Sequence, residues 1–205
     1  MESLRFEIFL YLIVVFSAVF HEYCHGWMAN SLGDPTAKEA GRLTLNPLKH
    51  LDPLGTVIIP LFLLFFSGGF IGWAKPVPYN PYNLRDQKLG VAKVGIAGPL
   101  ANFLVALVFG LFLRLFHLEG FLSITFSWIV YINIFLGLFN LLPIPPLDGS
   151  KFLADFFPRS KVLQFLEQSF LGFFLAIAVA VMFLPYLAYF LYYFIVGNPF
   201  LGLTF

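Results

Sequence analysis

Five residues raise the question of chemistry: His21-Glu22-Tyr23-Cys24-His25, an H-E-x-x-H arrangement inside an otherwise apolar segment. On a helix, His21 and His25 stand about 40° apart around the axis and about 6 Å apart along it. Both imidazoles then leave one face and can close on a single ion. Glu22 lies about 100° away, placed to reach a water on that ion rather than the ion itself. A catalytic zinc usually takes three protein ligands and keeps one position open, so the rest of the chain must supply a third. The plain alternative is two histidines satisfied by backbone carbonyls. That reading leaves Glu22 with no partner to neutralise it in an apolar span. Cys24 projects off the face the histidines share and reads as a small apolar filler.

The elements that must position these residues are membrane spans. The run 6–20 before the motif carries one charge, Glu7. Of 205 residues, 60% are hydrophobic, 20% aromatic and only 11% charged, which excludes an ordinary soluble domain. The net charge of +1 gives no support to nucleic acid as a partner. A single cysteine rules out an intrachain disulfide framework. The start has one basic residue, Arg5, and no clear small-x-small site, so it reads as an uncleaved span rather than a leader.

A bilayer crossing takes about 20 residues, and the stretches Phe6–Leu32, Val94–Leu113, Phe121–Leu142 and Phe170–Val196 are long enough. Leu54–Ser67 is shorter and contains Pro60, which suits a re-entrant or interfacial piece, with a full span as the other reading. Three loops are basic: Lys38, Arg42 and Lys49; Lys75, Arg85, Lys88 and Lys93; Lys151, Arg159 and Lys161. The positive-inside rule puts all three on the cytoplasmic side, which works only if 54–67 does not cross. The motif and the end of the Phe121–Leu142 span then fall on that side. The expected fold class is all-α, a multi-pass transmembrane bundle of about four spans with short extended edge segments. It forms one membrane-embedded domain over 1–205, with a core at 6–149 and a C-terminal helical segment at 160–196. Pro185 lies in the last span, where a kink or early end is expected.

A third ligand is available after Leu142, where Pro143-Ile144-Pro145-Pro146-Leu147-Asp148-Gly149 ends the span and holds the chain extended. Asp148 has two readings, a metal ligand or the cap of a helix beginning at Gly149. The topology brings it to the motif's side and favours the ligand. Asp34 and Asp52 are rivals, but Gly33-Asp34-Pro35 and Leu51-Asp52-Pro53 explain them as turn residues.

With these pieces in order, the chain resembles the site-2 proteases, the intramembrane zinc metalloproteases, and among them the short bacterial-type members without a PDZ insertion. The resemblance is carried by His21–His25, by Gly41-Arg42-Leu43-Thr44-Leu45-Asn46-Pro47 with His50-Leu51-Asp52-Pro53, and by Gly72-Trp73-Ala74-Lys75-Pro76-Val77-Pro78. Ala97-Gly98-Pro99-Leu100-Ala101-Asn102 and Phe139–Gly149 complete it. The chain departs in Ser150, where a second Gly is common, and in Tyr23-Cys24, and its last sixty or so residues carry no family motif. The resemblance implies that His21, His25 and Asp148 hold Zn2+ and that Glu22 activates the water. It offers Asn140 as oxyanion donor or substrate clamp; an interhelical hydrogen bond is the other reading. Asn102 reads as structural, tying a close contact made by Gly95, Gly98 and Ala101.

A helical substrate must unwind before it is cut, and something must hold the opened strand. Gly72–Pro78 is expected to do so by strand addition, with Trp73 and Val77 as substrate-binding residues, or else to form a rigid surface turn. The implied activity is an endopeptidase acting on membrane-spanning or membrane-proximal proteins, in the cell membrane, with its site towards the cytoplasm. A metal transporter using the same His/Asp cluster and an inactive scaffold are the rival classes. Glu22 separates them, since transport has no need of a carboxylate beside the ligand face. The oligomeric state is not legible.

Overall fold

The computed structural model describes residues 2–67, 72, 74–157 and 160–200. Trp73 and Arg159 lie outside the described residues. The chain divides into two compact units, Met1–Arg85 and Asp86–Phe205.

The first unit begins with α1 (Glu2–Ser31), one long helix that carries the H-E-x-x-H motif near its C-terminal end. It stops at Gly33, whose φ of 106° only glycine adopts without strain. A short helix α2 (Thr36–Glu39) and a 3-10 turn (Pro47–Lys49) follow. A π-helical turn (Pro53–Ile58) then runs directly into α3 (Ile59–Ser67). From Pro53 to Ser67 this continuous coil rises about 22 Å at 1.5 Å per residue, short of a hydrocarbon core about 30 Å thick. Among the described residues there is no strand, so segment 74–80 borders no sheet.

Turns in this unit are fixed by Asx side chains. Asn46 accepts from the Leu48 N–H, Asp52 from the Leu54 and Gly55 N–H groups, and Asn80 from the Tyr82 N–H. Asp34, wholly buried, does the most. It accepts from the Thr36 N–H and hydroxyl, from the Asn80 N–H at 2.7 Å, and from Asn83 Nδ2 at 3.0 Å. Two stretches far apart in sequence are joined there. Burial pushes its carboxyl pKa up, but those four hydrogen bonds outweigh it and the net shift is downward. As rivals for a metal, Asp34 and Asp52 are accounted for by this turn work.

The second unit is a helical bundle: α4 (Gly90–Phe116), α5 (Gly120–Leu141), α6 (Gly149–Phe156), α7 (Lys161–Gln168) and α8 (Phe170–Val196). Its core lies among α4, α5 and α8, where Ala106, Val130, Ile134, Ala188 and Tyr192 are buried and Phe200 stacks on Tyr131. A buried Asn102 Nδ2 donates to Asn133 Oδ1 at 2.9 Å and ties α4 to α5, as the small-residue face predicts. Pro185 sits inside α8 without ending it. Together α1, α4, α5 and α8 supply four candidate spans among the described residues, Leu4–Ser31, Gly90–Phe116, Gly120–Leu141 and Leu171–Val196. The fold is an all-α bundle with the apolar lengths of a multi-pass membrane protein.

Candidate metal centre

The two histidines behave as their spacing predicts. His21 and His25 are buried, 6% and 5% exposed, and their Nε2 atoms lie 3.0 Å apart. Two ligands at 2.0–2.1 Å on a tetrahedral ion would stand about 3.3 Å apart, so the pair needs little adjustment to share one. The donor set fits zinc. Neither ring is spent capping the helix, because the motif lies a turn and a half before α1 ends.

Glu22, on the adjoining face, has its Oε2 2.8 Å from the Val77 N–H, which donates to it. Two proline-flanked residues, Lys75 and Val77, are the backbone donors of the 75–78 strap. Lys75 N–H donates to the His50 carbonyl at 2.9 Å. Arg42, 8% exposed, reaches over the same strap and donates from Nη2 to the carbonyls of Lys75 (2.6 Å) and Pro76 (3.3 Å). His50 is itself 1% exposed and held by the Thr44 carbonyl at 2.7 Å. The strap's N–H groups are therefore engaged within the unit, one of them on the candidate general base. Val77 is buried as well.

Asp148 belongs to the second unit, at the residue before α6. Its side chain makes no capping bond, and its backbone is already helical at φ −62°, ψ −33°. The capping reading is thus not what the structure shows. Instead Oδ1 pairs with Lys151 Nζ at 2.8 Å, one turn on. Asp148 also lines a cavity of about 260 Å3 whose other walls include Ile96, Leu141, Pro143 and Phe152. Asn140 is half-buried, and its Nδ2 donates to the Leu136 carbonyl at 3.0 Å on its own helix rather than across helices. Trp73, the other expected substrate contact, is outside the described residues.

Three residues, two around the site and one in the bundle core, had no contact assigned from sequence. Arg42 lies in a quoted motif, but its action on residues 75 and 76 is long-range and leaves no local signal. Asn133 has none either, since only its pairing with Asn102 gives it meaning. Lys151 could have been found from its i, i+3 spacing to Asp148 on a helix.

A family model described as Peptidase family M50 matches residues 116–185. That stretch includes Asn140 and Asp148 and continues to Pro185, so the likeness extends into the region where the sequence showed no motif. Among curated proteins, one from Bacillus subtilis (strain 168) named "Putative zinc metalloprotease YwhC" is 39% identical over 177 residues, 80% of this chain and 78% of its own length. One from Mycolicibacterium smegmatis named "Putative zinc metalloprotease Rip2" is 32% identical over 138 residues, 65% of this chain and 51% of that protein. A third, "Putative zinc metalloprotease MJ0611" from Methanocaldococcus jannaschii, is 33% identical over 99 residues, 48% of this chain and 50% of its own length. No solved structure matches the chain. An all-α membrane protein carrying a two-histidine, one-glutamate helix is the class that fold and site define. The chain belongs to peptidase family M50, the site-2 protease family.

Proposed function

We propose that this chain is a zinc metalloendopeptidase that hydrolyses peptide bonds of membrane-spanning or membrane-proximal proteins. The observation that carries the reading is the buried His21–His25 pair on one face of α1 with Glu22 beside it. Asp148 is assigned as the third ligand, from its carboxylate chemistry and its freedom from capping work. Bound zinc supplies Lewis acidity and makes a water nucleophilic near neutral pH.

The chain's own residues do the rest. Glu22 takes the proton from the attacking water and returns it to the departing amine. Its Oε2 is held by the Val77 N–H, which leaves Oε1 to carry that proton. Asn140 uses one amide hydrogen on Leu136; its second is the donor offered to the developing oxyanion or to substrate backbone. Substrate pairing along 72–78, with Trp73 and Val77 as contacts, must draw on carbonyls or displace the Val77 N–H from Glu22. Substrates are membrane proteins met within the lipid bilayer, and the basic loops orient the centre towards the cytoplasm of a cell membrane.

The test is Glu22→Gln. The purified variant should keep its zinc, while membranes of cells carrying it accumulate uncut membrane-bound proteins relative to cells with the unaltered chain. Normal processing by the variant would sink the protease reading. Zinc flux through vesicles that survives Glu22→Gln, with no protein accumulating, would establish the transporter instead.

A further inference from the structure

We propose that Lys151 is a positioning residue for Asp148: its ammonium holds one carboxylate oxygen so that the other is presented to the metal. The inference rests on Asp148 being the third ligand. Two independent features of the second unit carry it.

The first is the pair itself. Asp148 Oδ1 and Lys151 Nζ are 2.8 Å apart, with side chains only 11% and 29% exposed. An exposed i, i+3 pair would contribute little, because two free side chains must be ordered to form it. Here both are partly desolvated and the carboxylate is not competing for helix N–H groups. A metal-binding carboxylate needs one oxygen for the ion, and its remaining acceptor capacity is normally taken by an outer partner.

The second is a notch in α4 that fits the lysine stem. A Cβ built on Gly95 would stand 3.0 Å from the Asp148 carbonyl oxygen and 3.0 Å from both Cβ and Cδ of Lys151. A side chain there would crowd the lysine stem and the Asp148 carbonyl by a few tenths of an ångström. The stem is thereby fixed before any metal arrives, and most of the rotamer entropy a lysine loses on pairing has already been lost in folding. Two opposed effects follow from a fixed ammonium. Its charge repels a divalent cation, and its hydrogen bond orients the ligand. Outer partners of metal ligands typically change affinity by about 10–100-fold through orientation. The screened repulsion of one partly exposed ammonium is the smaller effect.

Zinc affinity of the full chain in detergent micelles, read by competition with a chromophoric chelator, tests this without any need for activity. Lys151→Met, which keeps the stem and removes the charge, should weaken zinc binding by about tenfold or more. Gly95→Ala should weaken it in the same direction by displacing the stem, and Lys151→Arg should recover part of the loss. If Lys151→Met binds as tightly as the unaltered chain while Asp148→Asn loses zinc, the positioning role is overturned and the ligand reading survives. Tighter binding in Lys151→Met also overturns it, making the lysine a competitor for the carboxylate. If Asp148→Asn itself binds zinc undiminished, the ligand reading falls and this proposal with it. Should Lys151→Met not fold, Lys151→Gln binding zinc as tightly as the unaltered chain is enough to overturn the role.

Discussion

The first unit holds its backbone with polar side chains, whereas the second holds its helices with apolar surface. Asp34, Asn46, Asp52 and Asn80 each fix a turn in residues 1–85, and Arg42 clamps the 75–76 carbonyls. Among the described residues from 86 on, the buried core is Ala106, Val130, Ile134 and their neighbours, with the Asn102–Asn133 and Tyr192–Ser127 bonds as polar ties between its helices. The difference follows from what each unit must place. Irregular chain has unpaired amides and carbonyls that need partners wherever it is buried. Helices satisfy their own backbone and need only shape. The candidate general base sits in the first kind of environment, where its carboxylate can be held by a backbone N–H. The candidate third ligand sits in the second kind, beside a local lysine and a glycine notch.

This contrast can be broken by substitution, beginning with the largest effect. Asp34→Ala leaves four donors facing an empty buried position, so it should cost about 3 kcal/mol or more, at about 1–3 for each buried group left unpaired. Thermal unfolding in micelles would show it, and an unchanged midpoint would mean the turn network is not what holds the first unit. Ile134→Ala, fully buried in the second unit, should cost about 2–4 kcal/mol by loss of packing. A loss below that of Asn102→Ala would reverse the picture of an apolar-held bundle. Asn102→Ala should itself cost only about 0.6 kcal/mol and no more than about 1.7, the range for hydrogen bonds between membrane helices. Asp86→Asn removes the exposed 2.6 Å pair with Lys93 and should leave the midpoint unchanged. A clear drop there would show that charge contributes to the second unit as well as packing.

Acid should sharpen the same comparison. Asp34 has a folded pKa below its ordinary 3.8, since its hydrogen bonds outweigh burial. A carboxyl so shifted binds its proton more weakly when folded. Its contribution is therefore complete above the unfolded pKa near 4 and is lost as pH falls through the lower folded value. The unfolding midpoint of the unaltered chain should drop more steeply below pH 4 than that of Asp34→Asn. Equal slopes would remove Asp34 from the account. Asp86 is held lower still, at about 2, by hydrogen bonds from Lys93 and the Leu89 N–H. Its side chain is 29% exposed and solvent screens its pair with Lys93, so its contribution should be small and lost only at still lower pH.

Much of the architecture was legible beforehand because length and hydropathy are local. The long helices begin and end within a few residues of the expected spans, apart from α1, which starts four residues earlier, and α4, which extends three or four further at each end. The motif's shared face follows from the helical repeat alone. Less legible was the form of the Leu54–Ser67 run, read as a re-entrant or interfacial piece, which is helical from Pro53 with a π-helical opening at Pro53–Ile58 that has no pattern of its own. For Asn140 the interhelical bond was the alternative to an oxyanion or substrate-clamp role, and its Nδ2 donates within its own helix, where a carbonyl four residues back is always within reach.

Composition and periodicity alone determined that this chain forms apolar helices and that two imidazoles share a face, because each depends on residues a few positions apart. Only the tertiary structure decided that Val77 donates to Glu22, that Arg42 binds the strap thirty-three residues on, and that Gly95 makes room for Lys151. Those contacts join residues separated by tens of positions, or depend on which of several rotamers packing allows. No local pattern carries that information.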